Sequence, residues 1–538
     1  MAVIAPRARP AGAVSPLSPG GRGPLAAVAR LLASPPRVFL VAAALAAFAA
    51  CVDVLHDPDL WWHLRLGQWI LDSHSVPHTE LFSFTAAGNA MTAHEWGSEV
   101  LFALMARVGG LLLVSLVMAC VAWSGLLALA LRARARGAGV VAVAVALLVG
   151  ARAMEPVLGT RPQVITVALV CWTLLVAERY LARGGRLVWV LPPVVLVWAN
   201  LHGGVVLGLG ALCLLLALSA LSLLLRRPGA PSFARLRTLG LAVGVAAAAG
   251  CLNPNGPGLY RYALATSASE RLKPITEWHS PDFTDPSNLG LLILLVSFGA
   301  LVAIGGRLSL RDLGMSLAGF AAALLAVRNT SLAVALSLPA WTSLLHQAIT
   351  RFTTWRSTPA MGPGATPPHK EPPARRKPSR TAGAPPIGAQ FLVAGAAIIS
   401  LAATVSGIAI ARAATDASPQ RIATTYPTCA ANALQSLDAT NLIAPYYDSG
   451  YLIHQLWPQT HVYLYGESAS LGQQVFANYA RIYAGDTTAI PPSTTAILTP
   501  PGPLHNHLAE SPTTWHQILN DPTGLTLFTT TPLPTTTC

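Results

Sequence analysis

Apolar runs of about 20 residues recur along the whole chain and constrain its fold more than any other feature. A helix of about 20 residues is long enough to cross the hydrocarbon core of a bilayer. Of the 538 residues, 53% are hydrophobic and only 11% are charged, whereas a soluble domain has about 25% charged residues. The sequence therefore predicts an all-α polytopic membrane protein. Eleven runs approach the required length: 38–55, 109–131, 138–152, 163–182, 187–200, 203–225, 236–252, 288–305, 309–327, 331–349 and 390–412.

The run at 187–200 is the least regular of the eleven. It is short and carries Pro192 and Pro193, and the turn NLHGG follows it. A re-entrant segment is an alternative to a full span at this place.

The distribution of charge predicts the orientation. Lys and Arg concentrate in cytoplasmic loops of membrane proteins. With the N-terminus inside, the inner segments hold 24 of the 35 Lys and Arg residues but only three of the 22 acidic residues. The net charge of +13 therefore indicates a topology rather than a nucleic-acid partner. These segments are 1–37, 132–137, 178–186, 226–237, 306–312 and 350–389.

The same topology divides the chain into five regions. Residues 1–37, rich in Pro, Gly, Ala and Arg, are expected to be a disordered cytoplasmic N-terminus. A transmembrane module at 38–349 includes a long first outer loop at 56–108. A basic Pro-rich linker at 350–389 lies inside, and the last span at 390–412 leads to an outer domain at 413–538.

The outer domain is predicted to be small and α/β. THVYLYG alternates like a strand, and SLGQQVFANYARIYAG has helical spacing ending on Gly485. The Thr- and Pro-rich end is expected to be mostly loop. Cys429 and Cys538 are the only two cysteines in this region, and an oxidising compartment would permit a disulfide between them.

The stretch DPDLWWHLRLGQWILDS opens the first outer loop. Asp57 is suited to cap a helix that has Pro58 at its first position. Trp62, Leu66, Trp69 and Ile70 form an apolar stripe, which predicts an amphipathic helix lying in the membrane interface. Asp59 and His63 share another face. Capping, the helix dipole and anchoring would account for these residues without any chemistry.

Further along the loop, Thr92 and Glu95 fit a capping box, whereas His94 has no evident structural duty. Acids and histidines in this loop could also bind a divalent ion such as Mg²⁺ or Mn²⁺. Asp57, Asp59 and Glu155 are the candidate metal ligands, although no single spacing is diagnostic and no cofactor is certain.

Several short motifs together resemble a group of bacterial membrane proteins in the GT-C class of glycosyltransferases. DPDLWWHLRLG is also similar to the acidic stretch in the first outer loop of oligosaccharyltransferase catalytic subunits. The motifs are DPDLWWHLRLG at 57–67, FSFT at 82–85, HEWGSE at 94–99, RPQ at 161–163, NLHGG at 200–204 and NPNG at 253–256.

The resemblance implies an enzyme of the bacterial cytoplasmic membrane that takes a sugar from a polyprenyl-phosphate carrier. The acceptor would be a glycan, lipid or protein outside the cytoplasm. Two departures are visible. The outer tail lacks an evident Trp-Trp-Asp acceptor motif, and Glu155 stands alone where those enzymes carry an Asp-x-Asp pair. These two departures argue against protein N-glycosylation and against a tightly bound metal.

Transfer from such a donor needs a base and cations for the departing phosphate. Asp57 and Asp59 are the candidate catalytic acids, and the resemblance aligns Asp57 with the leading acid. The cations proposed from sequence are Arg161, Arg328 and Lys273. The other candidate binding residues are His63, His94, Glu95, Asn200, His202 and Glu277. His202 as a turn histidine and Glu277 as a solvated loop acid are the structural alternatives.

Two other functions compete with transfer. One is a transporter or flippase for a lipid-linked glycan, for which ionisable groups in the middle of spans are expected. Nearly all charges here lie at span ends or in loops, which favours chemistry at the membrane surface. The other is an inactive scaffold of the cell envelope with the same fold.

Overall fold

The computed structural model describes residues 24–52, 57–267, 276–357, 389–437, 439–467 and 470–532. The predictions for 1–23, for most of the linker, for Lys273 and for Cys538 lie outside the described residues. Cys429 is disulfide-bonded, and its pairing with Cys538 stays a prediction.

Fourteen α-helices precede the C-terminal domain in the part of the chain that the structure describes. They are α1 (Pro24–Leu32), α2 (Pro35–Cys51), α3 (Leu60–Ser73), α4 (Trp96–Ala135), α5 (Val140–Met154), α6 (Gln163–Arg183), α7 (Leu191–Leu201), α8 (Val205–Leu224), α9 (Phe233–Ala249), α10 (Gly258–Ser267), α11 (Leu289–Ala303), α12 (Leu310–Leu325), α13 (Thr330–Ser357) and α14 (Ala389–Asp416).

A helix occupies each of the eleven predicted spans. Seven helical segments of the described chain are long and apolar enough to cross a membrane, while α2 and the segment containing α7 are shorter apolar helices. The protein is therefore an all-α polytopic membrane protein with a small C-terminal α/β domain. One local expectation was wrong: α1 and the start of α2 fall within 1–37, where no ordered structure was predicted.

Glycines kink one helix, and prolines lie at the start of another. Gly109 and Gly110 have non-helical backbone angles inside α4, and Gly110 has φ +64°, which only glycine adopts without strain. The predicted span begins at this kink. Pro192 and Pro193 lie in the first turn of α7, where the missing N–H groups cost no helical hydrogen bond.

Helix α3 differs from the interfacial helix that its stripe predicted. Residues on several sides of it are buried, including Trp61, His63 and Leu64, because α4 packs on it and so does α17 (Tyr446–Leu456) of the C-terminal domain. Trp61 makes edge contacts with the rings of Tyr426 and Tyr451. Trp61 and Trp62 therefore pack inside the protein rather than anchor the helix in lipid, whereas Trp69 is half-buried.

The C-terminal domain contains a five-stranded mixed sheet in the order β2-β1-β3-β5-β4. Strands β2, β1 and β3 are parallel, and β5 is antiparallel to β3 and β4. The Thr- and Pro-rich end was expected to be mostly loop, yet it contributes three strands, because β3 and β5 are buried along their whole length. The strands are β1 (Asn441–Ile443), β2 (His461–Val462), β3 (Ala496–Thr499), β4 (His516–Asn520) and β5 (Thr526–Thr529).

Four further helices complete this domain: α15 (Pro419–Thr425), α16 (Thr428–Gln435), α18 (Gln473–Tyr483) and α19 (Pro503–Ala509). Helix α18 matches the predicted helical segment. Gly485, with φ +98°, follows its end, as the sequence predicted.

The first loop joins the C-terminal domain along the edge of this sheet. Phe84 N donates to Val462 O at 3.1 Å, and Val462 N donates to Phe82 O at 2.9 Å. The buried Glu80 carboxylate accepts hydrogen bonds from Tyr465 Oη at 3.0 Å and Ser470 Oγ at 2.9 Å. An exposed edge would leave unpaired backbone groups, so these bonds hold the domain firmly over α3.

Candidate active site

Asp57 closes the turn that leads into α3. Its Oδ1 accepts a hydrogen bond from the backbone N–H of Asp59 at 3.0 Å, and the helix begins at Leu60 with Asp59 at the N-cap position. Asp57 therefore stabilises the turn before the helix instead of capping a helix that starts at Pro58. Burial raises the pKa of Asp57 to about 6, although the positive charge of Arg161 acts in the opposite direction.

Arg161, just before α6, binds two acids. Its Nε donates to Asp57 Oδ2, and its Nη1 lies 3.3 Å from Glu277 Oε2. Burial would lower the pKa of Arg161, but the charges of Asp57, Asp59 and Glu277 raise it above its usual value. Three sequence candidates from distant loops thus form one ion-paired group.

Asp59 differs from Asp57 in its surroundings. Its Oδ1 accepts a hydrogen bond from Trp62 Nε1 at 3.1 Å, and its Oδ2 has no hydrogen-bond partner among the described residues. Asp59 lines a cavity of about 120 Å³, whereas Asp57 is not among the residues that line this cavity. The carboxylate accessible to a ligand is therefore that of Asp59.

This cavity lies between α3, α10, the C-terminal domain and the loops that precede α4, α6, α8, α11 and α13. Its lining combines acids, arginines, histidines and aromatic rings. Among the residues that line it are Asp59, Trp62, His63, His94, Glu95, Arg161, His202, Tyr262, Glu277, Trp278, Arg328, Tyr446, Gly466 and Glu467.

Glu95 is the centre of a buried cluster of histidines. Its carboxylate lies 3.5 Å from His63 Nε2, 3.3 Å from His94 Nε2 and 2.9 Å from His202 Nε2. Burial would raise the pKa of Glu95, but His94 and His202 hold it well below its usual range. The predicted capping box was wrong: α4 begins at Trp96, and the Glu95 side chain makes no cap hydrogen bond because the histidines engage it.

The three histidines differ in protonation. Burial lowers the pKa of His63, but its hydrogen bond to Glu99 at 3.1 Å and the charge of Glu95 outweigh this and raise it. Burial also lowers the pKa of His94, but the charge of Glu95 outweighs this effect and raises the pKa to about 9. His94 is therefore a cation at neutral pH, and the pKa of His63 is shifted in the same direction.

His202 is the neutral member of this cluster. Its Nδ1 accepts a hydrogen bond from the Gly204 backbone N–H at 2.8 Å and lies 2.8 Å from Thr166 Oγ1. A backbone N–H can only donate, so the ring proton is on Nε2, facing Glu95. Burial lowers the pKa of His202, in agreement with this tautomer. His202 is thus both a turn histidine and a member of the cluster.

Arg328 presents its charge to the cavity without an acidic partner. Its guanidinium carbon lies 4.1 Å from the centroid of the Trp278 ring, a cation–π contact. No ion pair joins Arg328 to any acid in the described parts of the chain. Because Arg161 already binds Asp57 and Glu277, Arg328 is the more available of the two arginines for an anion.

A metal ion could be held by His63, Glu95 and Glu99, whose ligand atoms lie within 4.8 Å of one another. However, both nitrogens of His63 already face carboxylates, which is the arrangement of an imidazolium with two acceptors. A metal there would require His63 to give up one of these contacts. Of the ligands proposed from sequence, Glu155 instead pairs with Arg152 at 2.5 Å and is half-exposed.

Most of the predicted site residues are brought together, and Asn200 is the clearest exception. Its side chain accepts a hydrogen bond from Trp96 Nε1 at 3.2 Å and donates to Leu196 O and Leu252 O at 2.9 Å. Asn200 therefore ties α7 to α4 and does not line the cavity.

Sequence reasoning missed five residues near the site: Tyr262, Trp278, Tyr446, Glu467 and Glu99. The first four line the cavity, and Glu99 pairs with His63 behind it. Glu99 is the last residue of the HEWGSE motif at 94–99, and Trp278 directly follows the sequence candidate Glu277; these positions were the signals that could have found them.

Raising the pH should destabilise the protein through His94. Its pKa in the folded state, about 9, exceeds the ordinary value near 6.5, so its contribution is full below pH 6.5 and is lost as the pH rises through 9. We expect a loss of the order of 1–3 kcal/mol across this range. Thermal unfolding in detergent from pH 6.5 to 9.5 should show a smaller decline for His94→Gln. Parallel curves for the two proteins would contradict the shift.

The sequence matches no protein-family model and no curated protein. Solved structures do match. The archaeal oligosaccharyltransferase AglB from Archaeoglobus fulgidus, in complex with an inhibitory peptide and a dolichol-phosphate, has a TM-score of 0.52 and 11% identity, covering 86% of this chain and 68% of that one. ArnT from Cupriavidus metallidurans bound to undecaprenyl phosphate has a TM-score of 0.50 and 13% identity, covering 92% and 98%.

The chain has the GT-C fold. AglB and ArnT are polytopic glycosyltransferases of this superfamily, and both were solved with a polyprenyl phosphate. The GT-C fold had been expected from the resemblance carried by the first-loop motif and the other short motifs. At this level of identity the likeness concerns the fold, and function has to be argued from the site.

Proposed function

We propose that the protein transfers a sugar from a polyprenyl-phosphate donor to an acceptor outside the cytoplasm, at the surface of the bacterial cytoplasmic membrane. The observation that carries the proposal is the cavity. A carboxylate with a free oxygen, Asp59, and a cation without an acidic partner, Arg328, face the same cavity in a GT-C fold. The charge distribution supports a cytoplasmic N-terminus and an outer C-terminal domain.

The residues fit the steps of such a transfer. Asp59 Oδ2 accepts the proton of the acceptor hydroxyl as its oxygen forms a bond to C1 of the sugar. The bond from C1 to the phosphate oxygen breaks, and the electron pair leaves with the polyprenyl phosphate. Arg328 stabilises the negative charge that develops on this phosphate. The products are the glycosylated acceptor and free polyprenyl phosphate.

The contacts favour Asp59 as the base, whereas the resemblance had aligned Asp57 with the leading acid and so favoured Asp57. Both oxygens of Asp57 are engaged, one by Arg161 and one by the Asp59 backbone. Asp57 is better placed to hold Arg161 beside the cavity. A divalent ion at the cluster of Glu95 could add electrostatic stabilisation, but the proposed steps do not need one.

Lipid binding tests the proposal. Protein purified in detergent should retain a polyprenyl-phosphate sugar detectable by mass spectrometry, and the purified protein should bind added undecaprenyl phosphate. Arg328→Gln should weaken this binding by about 10–100-fold, because a hydrogen bond to a charged group contributes about 1.5–3 kcal/mol.

The matched control is Arg107→Gln. Arg107 pairs with Asp72 at the surface, and its side chain is 49% exposed, so its loss should leave lipid binding unchanged. If wild-type protein binds no undecaprenyl phosphate, the proposed function is wrong. If Arg328→Gln binds it normally, the phosphate lies elsewhere.

A further inference from the structure

One acidic side chain that lines the cavity has no role in the proposed steps. Glu467 belongs to the C-terminal domain and follows β2 in the chain. The residue is 5% exposed, and its Oε1 is buried without a hydrogen-bond partner in the parts of the chain that the structure describes. Glu99 also has one unpartnered oxygen, but it does not line the cavity.

Keeping a carboxyl group in this state is unfavourable for folding. A buried polar group without a partner loses its hydration and gains nothing in return. Burial, opposed by the charge of His94, raises the pKa of Glu467 to about 7. Such a group calls for an explanation, and because Glu467 lines the cavity, a bound ligand can supply the missing hydrogen bond.

The neighbouring residues fix Glu467 in place. A Cβ atom on Gly466 would lie 2.0 Å from Asp59 Oδ1 and 2.7 Å from Trp62 Nε1, so only glycine lets this backbone pass so close to Asp59. Tyr465 and Ser470 on either side are hydrogen-bonded to Glu80 of the first loop. Glu467 is therefore held in place next to Gly466, whose backbone packs against Asp59, the proposed base.

We propose that Glu467 forms a subsite for the donor sugar, in which its carboxyl group hydrogen-bonds a sugar hydroxyl. This inference rests on the proposed function. A hydroxyl suits the position because it can donate to the unpartnered oxygen, whereas an anionic phosphate would be repelled by the surrounding acids and belongs with Arg328. The sugar ring would then lie between Glu467 and Asp59, with its C1 toward Asp59. Tyr262, whose ring packs on His94 at a centroid distance of 4.8 Å, and Trp62 supply aromatic surface nearby.

If Glu467 binds the sugar, replacing it should weaken the binding of lipids that carry a sugar but not the binding of bare undecaprenyl phosphate. The probes are undecaprenyl phosphate and a panel of undecaprenyl-phosphate hexoses, with binding measured on detergent-purified protein. Glu467→Ala should bind the preferred sugar-bearing lipid about tenfold more weakly or worse and should bind bare undecaprenyl phosphate as wild type does. Glu467→Gln keeps an acceptor oxygen and should lose less.

Stability separates this role from a structural one. Because the carboxyl group has no protein partner, Glu467→Gln should melt at or above the wild-type temperature. The control Glu510→Gln makes the same change at an exposed position of the same domain and should alter neither binding nor melting.

The outcomes distinguish the inference from the proposed function. If Glu467→Ala keeps the wild-type preference for the sugar-bearing lipid, or loses bare lipid equally, the subsite is wrong and Glu467 is only a hydrated acid. If wild-type protein binds every sugar-bearing lipid no better than bare lipid, the subsite is also wrong, but recognition of polyprenyl phosphate stands. If it binds neither, the proposed function itself fails.

Discussion

Asp59→Asn is expected to lower sugar transfer by about 10²–10⁴-fold, the usual loss when a general base is removed. An asparagine oxygen can still accept the hydrogen bond from Trp62 Nε1 that Asp59 accepts at 3.1 Å. Folding and expression should therefore stay near wild type. The measurement is the initial rate of transfer by purified protein from the polyprenyl-phosphate sugar that co-purifies with it.

Two companion variants sharpen this test. Asp72→Asn makes the same change on the same helix, at a side chain that is 74% exposed, and should transfer at close to the wild-type rate. Asp57→Asn keeps an acceptor for the Asp59 backbone but removes the charge opposite Arg161, so a smaller loss is expected. An inactive Asp57→Asn beside an active Asp59→Asn would assign the base to Asp57. Wild-type rates for both would place the site elsewhere.

Glu178→Gln is expected to destabilise the protein by about 3 kcal/mol or more. Glu178 accepts hydrogen bonds from Arg132 Nη2 at 2.7 Å, Arg132 Nε at 3.1 Å and Arg136 Nη2 at 2.8 Å. The Arg132 side chain is only 1% exposed. Removing one partner of a buried pair leaves the other charge uncompensated, which costs about 3–5 kcal/mol.

The control for this prediction is Glu155→Gln. Glu155 also pairs with an arginine, Arg152, but its side chain is 53% exposed, and exposed pairs contribute about 0–1 kcal/mol. Thermal unfolding in detergent should show a clearly lower midpoint for Glu178→Gln and little change for Glu155→Gln. Equal midpoints would mean that solvent or lipid compensates Arg132 and Arg136.

The charges around Glu178 show which properties the sequence predicts and which depend on helix packing. The charge count of the predicted cytoplasmic segments includes Arg132, Arg136, Glu178 and Asp312. In the fold they form one group, in which Arg136 Nη2 also reaches Asp312 at 3.2 Å. Counting charges predicts on which side of a membrane a segment lies, but helix packing decides which charges meet.

The first loop shows the same difference. Its acidic turn and the helix after it were predictable, because capping residues and helical periodicity are local properties. The surroundings of that helix were not, because α4 and α17 bury it from both sides. An apolar stripe shows that a surface will be covered, but not whether lipid or protein covers it.

The sequence by itself determined the membrane-spanning helices, the break at Gly109 and Gly110, and the short list of polar motifs that line the site. These follow from bilayer thickness, glycine conformation and residue chemistry, which act over a few turns of chain. Only the tertiary structure decided that Glu95 meets three histidines, that Arg161 rather than Arg328 neutralises Asp57, and that the C-terminal domain brings Glu467 to the cavity. Those contacts join residues far apart in sequence, so they depend on how the helices and the sheet pack.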